Sequence, residues 1–116
     1  MEKLIIKIGK SMPKDLKEIY MHPEKGKPGT HTLYLKSAEE LYELLSPKRI
    51  ELLSFVINES KEKTISEISK NLKRKQEAVS RDANVLTKHG LIQKIRQKQA
   101  IKLKANYDSL QISLTN

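Results

Sequence analysis

The spacing of apolar residues changes twice along this chain, and each change marks a different kind of element. Leu4, Ile5, Ile6 and Ile8 form a β-branched run that ends at Gly9, which predicts a strand. Pro13 to Met21 predicts a helix, with Pro near its start, Leu16, Ile19 and Tyr20 at i, i+3 and i+4, and Pro23 just beyond. His22 to Thr30 holds two Pro and two Gly and predicts a loop. Thr32 to Lys36 then alternates, placing Leu33 and Leu35 on one face and Tyr34 on the other. Residues 1–36 therefore predict an N-terminal β-α-β-like arm, with so few apolar residues of its own that it must lean on another surface.

From Ser37 the period becomes helical. Ser37-Ala38-Glu39-Glu40 is a capping-box pattern opening a short helix that carries Leu41, Leu44 and Leu45. Ser46-Pro47 repeats the logic, with an N-cap Ser and Pro at the first helical position, and Ile50, Leu53, Val56 and Ile57 give the next helix, to about Glu59, one apolar stripe. Ile65, Ile68 and Leu72 predict a short helix from Ser66, its expected cap, to Leu72. Val79, Ala83 and Leu86 predict a longer one from Lys75 to Lys88, ended by His89-Gly90, where glycine supplies a left-handed C-terminal position. Only Lys73 and Arg74 are left for the connection, which makes a helix-turn-helix.

After the glycine the period falls to two. Gln93 to Arg96 and Gln99 to Leu103 predict two strands around Gln97-Lys98, with Ile95, Ile101 and Leu103 inward and Lys94, Arg96, Lys98, Lys102 and Lys104 outward. Leu110, Ile112 and Leu114 alternate in the tail, residues 105–116, and predict a strand beside Leu4 to Ile8.

Charge sharpens this picture. The formal net charge is +9, and Lys61 to Lys104 alone contains thirteen basic and four acidic residues, so the rest of the chain is balanced. A basic block that keeps periodic apolar positions is the footprint of a domain facing a polyanion, because each cation near a phosphate releases a condensed counterion. No apolar run exceeds three residues and the charged first ten residues lack a signal-peptide core, so the chain is expected to be soluble, away from membranes and cytosolic. It has no cysteine, hence no disulfide or thiolate metal site.

The order helix, short helix, tight turn, long helix, glycine stop and basic hairpin predicts an α+β, mainly α, winged helix-turn-helix over residues 37–104. Ser46 to Ile95 resembles winged-helix transcriptional regulators of the broad MarR and ArsR type from bacteria and archaea, some of them antitoxin-like. The run from Glu77 to Ile92, a long helix ending in Leu-x-x-x-Gly-Leu-Ile, carries the resemblance most specifically. It implies double-stranded DNA as partner, bound through the helix at about 75–88, and a homodimer.

Helix geometry names the candidate contacts. With Val79 at the centre of the buried stripe and roughly 100° per residue, Glu77, Ser80, Arg81, Asn84 and Lys88 fall on the opposite side. In a major groove Arg81 can donate to guanine O6 and N7, Asn84 can pair with adenine N6 and N7, and Ser80 can meet a base or a phosphate, with Gln76 a further base-edge candidate. The plainer alternative is a Glu77–Arg81 surface pair among solvated neighbours. Lys73, Arg74 and Lys75 crowd the positive end of a helix dipole, an arrangement that a docked phosphate would relieve. The wing cations Lys94, Arg96 and Lys98 would lie along the neighbouring backbone or a minor groove and add affinity rather than base choice.

Other chemistries find little support. None of the five aromatic residues lies in the basic block, which disfavours a stacked single strand. His22, His31 and His89 are scattered without a nucleophile, a phosphate loop or a paired ligand, so neither an enzyme nor a cofactor or metal is expected. The competing reading is a winged-helix docking module, such as an antitoxin or a subunit of a larger assembly, whose arm covers a toxin or part of the transcription machinery. It stays open from the sequence alone.

Overall fold

A computed structural model describes residues 2–9 and 30–114, so the helix expected at Pro13 to Met21 lies outside the described residues, with most of the following loop. The chain divides into two compact units: residues 1–43 with 107–116, and residues 44–106.

The first unit is built on a three-stranded parallel sheet of β1 (Lys3–Ile8), β2 (Thr30–Leu35) and β6 (Ser109–Ser113), in the order β2-β1-β6. The tail strand thus lies beside β1 as the alternation of Leu110 and Ile112 predicts. Register puts Leu4 and Ile6 of the central strand on one face with Leu33, Leu35, Leu110 and Ile112, and Leu4, Ile6 and Leu35 are buried. At one end His31 stacks at a tilt on Tyr107, with ring centroids 5.4 Å apart. Burial pushes the Tyr107 phenol above its ordinary pKa, and the Glu2 carboxylate adds to the shift.

Helix α1 (Ala38–Leu44) follows β2, with Ser37 Oγ accepting from the Glu40 amide and the Glu40 carboxylate accepting from the Lys36 amide. Leu44 closes it and is buried.

The second unit packs α2 (Pro47–Asn58), α3 (Ile65–Leu72) and α4 (Gln76–Lys88) with an antiparallel sheet of β3 (Lys63–Thr64), β5 (Ala100–Ala105) and β4 (Ile92–Gln97), ordered β3-β5-β4. Ser46 caps α2 as expected, its Oγ accepting from the Arg49 amide at 3.3 Å with Pro47 in the first turn. The buried stripe of α2 is Leu52, Leu53 and Val56, whereas Ile50, assigned to the stripe from spacing, is 50% exposed. Leu52 and Leu53 together turn the buried face away from Ile50.

Helix α3 begins earlier than spacing suggests, and Thr64 rather than Ser66 is its cap. The Thr64 hydroxyl accepts from the Glu67 amide at 3.1 Å while Glu67 Oε1 accepts from the Thr64 amide at 3.0 Å, a complete capping box. The backbone and side-chain hydrogen bonds from Thr64 hold the Glu67 carboxyl below its ordinary pKa. Helix α4 ends in a Schellman motif: Gly90, at φ +79°, donates to the Thr87 carbonyl and Leu91 donates to that of Leu86. Val79, Ala83 and Leu86 are fully buried and meet Leu52, Ile68, Ile92 and Leu103 in one core.

Candidate nucleic-acid interface

Three residues, Lys73 to Lys75, join α3 to α4, because α4 starts only at Gln76. Lys73 stands in the left-handed region at φ 54°, and the amides of Lys73 and Arg74 return to the carbonyls of Lys70 and Ser69. Lys75 is the N-cap of α4 in extended conformation and provides no side-chain hydrogen bond. The first amides of this helix therefore lack the acceptor that Ser, Thr, Asn or Asp would bring.

Arg74 departs from the set of candidate contacts. Its guanidinium turns inward, where Nη2 donates to Asp82 Oδ2 at 2.5 Å and Nη1 to the Lys48 carbonyl at 3.5 Å, leaving the side chain only 9% exposed. Asp82 also meets Arg49 Nε through Oδ1, at 3.2 Å. One carboxylate thus ties the turn to α4 and to α2. Neither Asp82 nor Arg49 was expected in this role from the sequence. The available signal was an acid three residues after Val79, close to the buried stripe, which needs a cation beside it.

The outward face of α4 forms one wall of a cleft of about 680 Å³. Gln76, Glu77, Ser80, Arg81 and Asn84 line this wall, the start of α3 at Thr64, Ile65 and Ser66 contributes beside them, and Gln99, Ala100 and Ile101 of the wing stand opposite. Gln76, Arg81 and Asn84 are exposed and Ser80 is half-buried. No Glu77–Arg81 ion pair forms among the described residues, so the guanidinium of Arg81 is not neutralised along its own helix.

The wing differs from expectation in which face its cations occupy. Strand register sets Lys94 opposite Leu103 and Arg96 opposite Ile101, while Ile95 faces Lys102. Directly paired residues share a face of an antiparallel sheet. Lys94 and Arg96 therefore stand on the side of Ile92, Leu103 and Ile101, and Ile95 stands on the other with Lys102. The cause is Ile92, which is buried at the start of the strand and so makes its own face, shared at every second residue by Lys94 and Arg96, the inward one. This face is apolar at its base and basic toward its tip. Lys94 reaches across to α4, where its Nζ donates to Asn84 Oδ1. Lys98 occupies the turn at φ 56°.

The cleft thus brings together Gln76, Ser80, Arg81 and Asn84 of α4 and, through Asn84, Lys94. Arg96 and Lys98 continue along the wing. Lys73 and Lys75 are exposed on the turn before α4, and Lys88 is exposed in its last turn, outside the cleft. Among the described residues no cluster of His, Asp or Glu could hold a metal ion, and no helix is long and apolar enough to cross a membrane.

The family model HVO_A0114 matches residues 44–112. No curated protein matches the chain in sequence. Among solved structures, reduced HlyU from Vibrio cholerae N16961 superposes with a TM-score of 0.51 at 22% identity, over 59% of this chain and 70% of that one. A second HlyU structure from the same organism gives 0.50 at 22% identity, over 59% and 73%. The transcriptional regulator HlyU from Vibrio vulnificus CMCP6 gives 0.49 at 19% identity, over 79% and 82%. The likeness to the two V. cholerae structures establishes the α+β winged-helix fold.

Proposed function

The chain belongs to the HVO_A0114 family, whose matched region contains the whole helix-turn-helix and wing, and we propose that this region binds double-stranded DNA sequence-specifically as a transcriptional regulator. The observation that carries the reading is the cleft between α4 and the wing, with Gln76, Ser80, Arg81 and Asn84 on one wall, Gln99, Ala100 and Ile101 opposite, and Lys94 and Arg96 on the same sheet face as Ile101. In this reading α4 enters a major groove, where Arg81 donates to guanine O6 and N7 and Gln76 and Ser80 meet neighbouring base edges. Lys73 and Lys75 at the start of α4, Lys88 at its end, and Arg96 and Lys98 on the wing take phosphates. Arg74 is left out, because its charge is already satisfied by Asp82.

Backbone conformation gives independent support. The two non-glycine residues with positive φ among the described residues are Lys73 and Lys98, one at each end of the proposed contact. A left-handed non-glycine residue is unfavourable by roughly 1–2 kcal/mol. Glycine or asparagine would relieve it, so a lysine at both places favours a role for the ammonium over local stability.

One reading helix covers only a few base pairs, so a homodimer on two half-sites about one helical turn apart is the assembly that gives useful specificity. The test is fluorescence anisotropy of the full chain on random and selected duplexes across a salt series. Neutralising Lys73 and Lys75 together should weaken all duplexes and lower the log–log salt slope by about 0.9 per lost contact. Arg81→Ala should relax base choice at one position per half-site. Unchanged affinity and slope after the double neutralisation would overturn the reading.

A further inference from the structure

We propose that Glu77 is a base-reading residue of α4, whose carboxylate accepts from the N4 amino group of a cytosine and disfavours every duplex that lacks one at that position. The inference rests on the DNA-binding reading above and deepens it by naming a residue that sets base choice. Helix α4 carries two acids, Glu77 and Asp82. Asp82 is held by Arg49 and Arg74. Glu77 is exposed on the wall of the cleft and is the one acid among the described residues that line it. Its carboxylate forms no ion pair or hydrogen bond with another described residue. Arg81 stands one turn later on the same wall and leaves it unpaired, although i,i+4 spacing would allow the contact.

A free carboxylate on a surface that meets phosphates repels every duplex, and this cost is offset only where a base donor meets it. Both carboxylate oxygens are acceptors. On the major-groove edge guanine presents N7 and O6, thymine presents O4, and adenine presents N7 beside its amino group, so each sets an acceptor against the carboxylate. Cytosine alone presents a donor, N4, with no acceptor of its own. Arg81 lies about 6 Å further along the helix axis, so the two side chains address different base pairs, the cation a guanine and the anion a cytosine. The place of Glu77 in the first turn also suits the helix dipole. That stabilising role alone would give it no influence on base choice, which is what separates the two by experiment.

The experiment uses the full chain and a duplex selected from a randomised pool, with all four base pairs placed in turn at each position of the half-site. Binding is measured by anisotropy for wild type, Glu77→Gln, Glu77→Ala, Arg81→Ala and Glu51→Gln, the last removing an exposed acid of α2 that does not line the cleft. Wild type should prefer cytosine at one position by about fivefold or more. Glu77→Ala should level that position, and Glu77→Gln should shift it toward adenine, whose N6 and N7 suit a side-chain amide. Both should bind random duplex more tightly than wild type and than Glu51→Gln, which should keep the wild-type base choice. Urea unfolding accompanies each variant. Loss of the first-turn acid should lower the midpoint slightly, so a rise in affinity cannot come from a firmer fold. A cytosine preference that survives in both Glu77 variants, or a random-duplex affinity no higher than that of Glu51→Gln, would overturn the proposal. If Arg81→Ala still relaxes its own position in that case, the DNA-binding reading stands without Glu77, whereas a wild-type chain that binds no duplex would remove both.

Discussion

At the scale of single residues, stability and the proposed contact pull in opposite directions. Lys73 and Lys98 both hold left-handed backbone. Replacing either with Gly relieves roughly 1–2 kcal/mol of strain and adds about 0.5–1 kcal/mol of backbone entropy cost. Lys73→Gly and Lys98→Gly should therefore stabilise the fold by up to about 1 kcal/mol in urea unfolding while weakening duplex binding. A parallel loss of stability and affinity would show that these lysines serve the fold. Asp82 is the opposite case. Removing its carboxylate leaves the guanidiniums of Arg49 and Arg74 without their shared partner in a largely buried site. Asp82→Ala should cost about 3–5 kcal/mol, read as a drop in the urea midpoint, and a cost of a few tenths would mark the network as a solvated surface cluster. Reading Arg74 from sequence as one of three crowded cations overlooked this network because its acid lies eight residues further on. Run composition shows which charges crowd together, but only packing shows which of them is already paired.

At the scale of elements, the sequence was most legible where local chemistry decides the outcome. Ser46-Pro47 and the Leu-Thr-Lys-His-Gly run mark helix ends through their own hydrogen bonds, and α2 begins and α4 ends where those signals stand. Legibility failed where a neighbouring element decides. Thr64 lies in β3, paired with Lys102, and caps α3 at the same time, so the helix starts at Ile65 against the weaker local signal of Ser66. Alternation alone sets Ile95 inward with Ile101 and Leu103 and the wing cations outward, whereas the buried Ile92 and its register with β5 put Lys94 and Arg96 on the inward face and Ile95 with Lys102 on the other. The start of α4 yields a prediction of its own. Lys75 is an N-cap without a side-chain acceptor, and Lys75→Ser supplies one, a change worth typically about 1 kcal/mol. The variant should unfold at higher urea and bind duplex more weakly with a shallower salt slope. A variant that gained stability with affinity intact would mean that no phosphate sits at this helix end.

At the scale of the whole molecule, charge follows the division into units. Residues 44–106 contain fifteen basic and six acidic residues, whereas residues 1–43 with 107–116 contain eight of each. The sequence discloses this asymmetry directly, because composition needs no fold to be counted. The structure adds that strands from both ends of the chain, where acidic and basic residues balance, share one sheet, as the alternation of Leu110 and Ile112 predicts. The partition predicts where the salt dependence of DNA binding resides. Counterion release depends on cations within reach of phosphates and is nearly blind to those elsewhere. Neutralising Lys3 and Lys7 on β1 removes as much formal charge as neutralising Arg96 and Lys98 on the wing. The wing pair should lower the log–log slope by up to about 0.9 per residue, and the β1 pair should leave it within error of wild type. Equal slopes for the two double variants would mean that net charge alone, rather than one surface of the basic unit, draws the duplex.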